Sequence, residues 1–173
     1  MAALLLQQQD LPDLPVRREF ASAELTRQPT PQLALCRPQE PVGPHELASV
    51  LAKSGKIGTI EVFQVISAFA DEAGARAAYS AYLASARTCS SFTEGPRSFR
   101  VQDFASLPPR PDAAGFHYRL TTPDLVGGDV RTVATKGRYT LLVTGYGQPP
   151  AGMSVLDYQA AAMSKALDRL PAA

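Results

Sequence analysis

Apolar and polar positions fall into short blocks, and proline decides where a block can be long. Seven prolines stand in residues 1–44 and eight from Pro96 onward, while residues 45–95 hold none. Proline lacks an N–H and fixes φ, so the gap is where regular structure can run uninterrupted. Within it, Ile57 to Phe69 (IGTIEVFQVISAF) is rich in β-branched and aromatic residues and reads as a strand. Ile60, Val62 and Ile66 share one face, and Phe63, Val65 and Phe69 share the other. A strand apolar on both faces is either central and covered on both sides, or bulged so that it switches sides. Asp71 then opens a run to Thr88 in which Ala75, Ala78, Tyr79, Tyr82 and Ala86 recur at helical spacing. Asp71 is the expected N-cap, with Glu72 in the favoured first turn.

Beyond Gly95-Pro96 the period of two returns in SFRVQDF, with Phe99, Val101 and Asp103 on one face. Pro108-Pro109-Arg110-Pro111 is a stiff connector, and Phe116 to Thr121 is a short strand. Val130–Thr135 and Arg138–Gly145 form a hairpin whose expected turn is Lys136-Gly137, glycine supplying the positive φ. Ser154 and Asp157 sit three apart, as in a capping box with Asp in place of Glu, and start the last helix. Val155, Tyr158, Ala162, Ala166 and Leu170 give that helix an apolar stripe. The expected order is irregular leader, strand, helix, three or four antiparallel strands, helix. That is an α+β fold, a twisted antiparallel sheet packed with helices in a sandwich.

The N-terminal quarter, residues 1–44, reads as extended segments and turns wrapped on the rest, not as a separate domain. Leu4-Leu5-Leu6 can form one helical turn, closed by Asp10-Leu11-Pro12. Five apolar residues after Met1 fall short of the roughly 7–15 of a signal-peptide core, and no basic lead precedes them. The chain is therefore either cytoplasmic or an exported one whose native signal was trimmed. Length sharpens this picture: 173 residues suit a single domain able to bury its own core. Seventeen basic and sixteen acidic residues leave a net charge of +1, which argues against nucleic acid and against a polybasic membrane anchor. No stretch approaches the ~20 apolar residues of a membrane span.

Candidate chemistry is sparse. The two cysteines, Cys36 and Cys89, have neither zinc nor thioredoxin spacing. They are either unlinked reduced thiols or a disulfide tying the leader to the end of the first helix. Such a staple contributes roughly 4 kcal/mol in the chain-entropy account. His45 lies in a Gly-Pro-His-Glu helix start and His117 in a strand, and neither has a second ligand at metal spacing beyond the adjacent Glu46. No metal and no cofactor is expected. Gly145-Tyr146-Gly147 resembles a dinucleotide loop, but Pro149-Pro150 removes the N–H donors that a phosphate needs. Ser90, Ser91 and Ser154 lack a nucleophile elbow, and Tyr158 has no lysine four residues on. The tyrosines remain, as core residues or as the wall of a ligand cleft. Tyr79 and Tyr82 share a helix face, and Tyr118, Tyr139 and Tyr146 lie on strands.

Taken together, these blocks resemble a known arrangement. It comprises the leucine-rich opening before Asp10-Leu11-Pro12, then Cys36, then the strand Ile60–Phe69. A helix of the type Ala-x-x-Ala-x-x-x-Tyr follows and ends before Cys89-Ser-Ser-Phe92. The chain closes with the hairpin Val-Arg-Thr-Val…Gly-Arg-Tyr-Thr-Leu-Leu-Val and a C-terminal helix. The chain resembles, over nearly its whole length, the actinobacterial extracellular sensor domain of PknH-type membrane kinases and stand-alone lipoproteins. Unlike many such domains it has no second disulfide and no tryptophan. The resemblance implies an exported α+β domain with one disulfide, Cys36 to Cys89, a cleft for a ligand and no catalytic residues.

Two functional classes follow. The leading one is a non-catalytic, extracytoplasmic ligand-binding or sensor-like domain, for which a membrane tether through a removed signal or lipid anchor is compatible. The rival is a small enzyme or accessory protein of actinobacterial secondary metabolism using the same pocket. A structural protein with an apolar docking patch is the plain alternative. The expected pocket is a wedge where the straight helix 71–87 separates from a twisting sheet. Tyr79, Tyr82, Tyr118 and Arg138 would line it and hold a mainly apolar ligand with an acidic or polar end.

Overall fold

The computed structural model describes residues 2–6, 10, 17–20, 24–26, 36, 46–55, 59–94, 96–123, 129–147 and 154–171. Among these residues nine strands form an antiparallel sheet: β1 (Arg17–Phe20), β2 (Glu24–Thr26), β3 (Glu46–Gly55), β4 (Thr59–Ala68), β5 (Ser91–Glu94), β6 (Arg97–Ser106), β7 (Ala114–Thr121), β8 (Asp129–Lys136) and β9 (Tyr139–Gly147). Helix α1 (Glu72–Thr88) follows β4, and α2 (Val155–Arg169) follows β9. The strand order is β1-β3-β4-β9-β8-β7-β6-β5, with β2 also pairing β3. The last strand in sequence therefore inserts beside β4, in the middle of the sheet.

β4 is a central strand covered on both sides, one of the two possibilities its pattern left open. Val62 and Ile66 pack with Ala162, Met163, Ala166 and Leu167 of α2. Phe63 and Val65 join the cluster on the α1 side, and Phe69 meets Ala75 and Ala78 of α1. The same alternation runs through β8 and β9, where Ala134, Leu141 and Val143 face α2 and Val133 and Leu142 face α1. The two helices thus cover opposite faces, giving three layers. Both caps form as expected: Asp71 accepts from Gly74 N at 2.8 Å and Ser154 from Asp157 N at 3.0 Å.

Three expectations are corrected. Glu46 does not open a helix; Glu46–Gly55 pairs residue for residue with β4. His45 itself lies outside the described residues. Parts of the leader join the sheet as β1 and β2, on the edge of β3; the rest of residues 11–45, Cys36 apart, also lies outside the described residues. Asp103 does not share the buried face of Phe99: the β6–β7 register shifts between Gln102 and Ala105, and Asp103 takes φ 51° and pairs with Arg119 on the surface. The hairpin turn is Gly137-Arg138, one residue later than expected, because Lys136 pairs with Tyr139. Gly137 there has φ 52°, the conformation a two-residue loop demands.

The N-terminus packs into the α2 side. After a short 3-10 turn at Ala2–Leu4, Leu5 and Leu6 are buried there, and Leu6 N donates to Gln64 Oε1 at 2.7 Å. Asp10 forms an ion pair with Arg169 at the end of α2. Across the sheet, Cys36 is joined to Cys89 in a disulfide at the C-terminus of α1.

Candidate functional site

Three of the four expected ligand-binding residues gather on the α1 side, as packed rings. Small Ala75 and Ala78 let the start of α1 sit close on Phe69, and Tyr79 and Tyr82 follow on the same flank. Tyr79 tilts against Phe116 with ring centroids 5.6 Å apart. Phe116 in turn stacks on Tyr118 at 6.1 Å and on Phe104 at 5.3 Å. Geometry of this kind is that of a core layer with aromatic pair energies. Burial pushes the Tyr118 hydroxyl up to about 12, against the opposing pull of the Arg131 guanidinium. Burial raises Tyr82 still further and raises Tyr79 as well. Arg131 forms a part-buried ion pair with Asp129 at 3.2 Å, beneath the rings.

Arg138 stands apart from the other three. It occupies the hairpin turn, exposed, with its guanidinium over the Tyr139 ring at 5.7 Å. The one-residue slip of the turn removed it from the strand position that would have faced the tyrosines.

Open space lies at the hairpin end of the sheet. A cleft of about 750 Å³ is bounded by the first two turns of α1, the Arg110–Ala114 segment and the end of β8. Glu72, Arg76 and Tyr79 come from α1, Arg110 and Asp112 from the segment, and Lys136 from β8. Tyr79 is the one expected ligand-binding residue among them. Arg110 and Asp112 are fixed from below. Arg110 Nη2 bonds Asp168 Oδ1 of α2 at 2.7 Å, and an isolated bridge between Arg110 and Ala113 folds the segment back on itself. Lys136 Nζ donates to Leu167 O at 3.0 Å and meets Asp112 Oδ2 at 3.0 Å. The hydrogen bond from Lys136 holds the Asp112 carboxyl below the usual carboxylate range. The bond to Asp168 raises Arg110. Arg110 and Asp112 are thereby held in their ordinary charged forms, which suits recognition of a charged or polar solute more than proton transfer near neutral pH.

A smaller pocket of about 210 Å³ lies on the other side of the same segment, against α2, and shares Arg110, Ala113 and Ala114 with the cleft. By its sequence the proline-framed segment reads as a connector. Its signal was there: Arg110 and Asp112 are charged side chains carried on a loop stiffened by Pro108, Pro109 and Pro111, a rigid mount of the kind that positions binding groups. Lys136 was read only as a turn residue. Among the described residues no group of three or more His, Cys, Asp or Glu is placed to hold a metal ion, and no helix is long and apolar enough to cross a membrane. His117 lies on β7, opposite Thr132 of β8.

Among the described residues the architecture is an α+β one: a nine-stranded antiparallel sheet with one helix on each face and a disulfide at the end of α1. The chain is similar in structure to the extracellular domain of PknH from Mycobacterium tuberculosis, with a TM-score of 0.62 and 17% identity, over 96% of this chain and 92% of that one. A putative uncharacterized protein from Mycobacterium smegmatis, the Rv0999 ortholog, aligns with a TM-score of 0.47 and 14% identity over 89% of this chain and 88% of that one. No family model matches the sequence, and no curated protein matches it. At these identities the likeness is one of fold.

Proposed function

We propose that the chain is a non-catalytic, extracytoplasmic ligand-binding domain of sensor type, and that its ligand enters the cleft between α1, the Arg110–Ala114 segment and the hairpin end. The observation that carries this reading is a fold shared over 96% of the chain with an extracellular domain. The Cys36–Cys89 disulfide supports the compartment, because such bonds persist in oxidising surroundings. The cleft lining supports the ligand class. Three cations (Arg76, Arg110, Lys136) and two carboxylates (Glu72, Asp112) line the cleft with Tyr79, Arg76 pairing with Glu72 and Lys136 with Asp112. That set fits a small polar solute bearing acidic groups better than the mainly apolar ligand expected of a tyrosine wedge.

Thermal unfolding in the presence of dicarboxylates (succinate, malate) and sugar phosphates (glucose 6-phosphate) tests the reading. A ligand at ten times its Kd stabilises by RT ln 11, about 1.4 kcal/mol, which is roughly 4 °C for a chain of this size. The expected result is such a shift with at least one class, lost in Arg76→Gln and Tyr79→Ala. A shift that survives both substitutions places the ligand elsewhere and overturns the assignment.

A further inference from the structure

The 210 Å³ pocket behind the Arg110–Ala114 segment differs from the cleft in kind. Its floor is Met163 and Leu167 of α2, both buried in the core on that face. Leu107 forms the opposite wall and is held there by two features. Its N–H donates to Gly115 O at 2.9 Å. A Cβ on Gly115 would stand 2.5 Å from Leu107 Cδ1 and 3.0 Å from Val133 O, so only glycine leaves the leucine its seat. The polar groups stand at the mouth. Arg110 Nη1 and Ser164 Oγ are 3.4 Å apart, at the long end of hydrogen-bond range. Of the five N–H donors of a guanidinium, the Asp168 and Ser164 contacts engage two, and Asp112 Oδ1 stands 3.6 Å from Nε as an ion pair.

From a half-open, mainly apolar pocket edged by a guanidinium and a hydroxyl, we infer a second site, for the tail of a linear aliphatic carboxylate. The chain lies on Leu107, Met163 and Leu167, and the carboxylate bridges Arg110 and Ser164 in place of their long mutual contact. The volume is below the ~300 Å³ at which drug-sized sites begin, which limits the tail to roughly six to ten carbons. Met163 suits such a wall, since its unbranched thioether adapts to the shape laid against it. The inference rests on the ligand-binding reading of the chain and shares Arg110 with the cleft, but its floor and rim (Met163, Leu167, Ala160) lie outside the cleft, so a block at Ala160 lets each fail without the other.

Calorimetric titration with butanoate, hexanoate and octanoate, and with octan-1-ol as the uncharged control, tests it. Affinity is expected to rise about fourfold per added methylene, the increment of one buried CH₂. Octan-1-ol is expected to bind about tenfold or more weakly than octanoate, the worth of charge-assisted hydrogen bonds. Ala160→Trp is the clean block, because Ala160 is an exposed residue at the pocket rim. It should abolish octanoate binding while leaving the unfolding temperature and the response to dicarboxylates unchanged. Arg110→Gln should bring octanoate down to the affinity of octan-1-ol. Equal affinity for butanoate and octanoate, undiminished binding to Ala160→Trp, or no octanoate binding at all overturns the second site. Dicarboxylate binding that persists in those cases leaves the cleft reading standing.

Discussion

The two faces of one sheet are covered in different ways. On the α2 face the seat is small and aliphatic: Ala162 and Ala166 lie against Ile66, Leu141 and Val143, and Leu5 and Leu6 close the end. On the α1 face only the first turns sit close, on Ala75 and Ala78; the rest of the helix rides on rings, with Tyr79, Tyr82, Leu83, Phe92 and Phe104 partly exposed. Arg87 covers Phe104 from outside, 5.5 Å from its centroid. That close seat is supplemented by polar ties, with Lys136 Nζ donating to Leu167 O, Gln159 Nε2 to Val143 O and Arg110 pairing with Asp168. The α1 side adds a covalent tie, the disulfide at Cys89, at the end of the helix opposite the cleft. The cleft and the pocket described above lie outside both of these packed clusters. They open around the Arg110–Ala114 segment, where side chains from α1, β8 and α2 meet.

The disulfide should carry the largest single effect. It closes a separation of 53 residues, and the chain-entropy account gives about 4 kcal/mol for a loop of that length. Denaturant unfolding of the Cys36→Ser/Cys89→Ser protein should lose about that much, with the loss falling on protection of α1 amides before those of α2. A uniform loss across both helices would break the distinction between the faces. Next in size, Ile66→Ala on the α2 face should cost about 3 kcal/mol, and Leu83→Ala on the α1 face about 1 kcal/mol, because only the first leaves a closed cavity. Comparable costs would mean that the α1 face is as tightly packed as the other.

The third effect is silent at neutral pH. Tyr118 is held neutral up to about 12 in the folded protein, against 10.0 for the free side chain. With the folded pKa raised, its contribution is complete below pH 10 and is lost as pH climbs from 10 toward 12, where the unfolded chain ionises and the folded one does not. Phenolate absorbance should therefore rise late and together with unfolding. Full ionisation of all six tyrosines near pH 10 in folded protein would show that the ring layer is open to water.

How much of this the sequence revealed depended on whether the deciding contacts were local. β4 was legible because both its faces are apolar, and the helices because Asp71 and Ser154 are side-chain caps. β3 was not. In ELASVLAKSG, Leu47, Val50 and Leu51 stand at helical spacing among good helix formers, and pairing with all ten residues of β4 overrides that preference. The bulge at Asp103 interrupts the alternation that placed it beside Phe99. At the hairpin, a slip of one residue carried Arg138 from a strand to a turn. The cleft was illegible for a different reason: Arg76, Arg110 and Lys136 are far apart in sequence, and only the insertion of β9 beside β4 and the return of α2 under the segment bring them to one place.

The assignment of the cleft is tested most directly by two-dimensional ¹H–¹⁵N NMR during titration with succinate and with glucose 6-phosphate. The account predicts saturable shifts confined to the amides of Glu72–Ser80, Asp112–Ala114 and Thr135–Gly137, with the Phe92, Phe99 and Phe104 amides still. Shifts centred on the aromatic layer, or none at millimolar ligand, would contradict it.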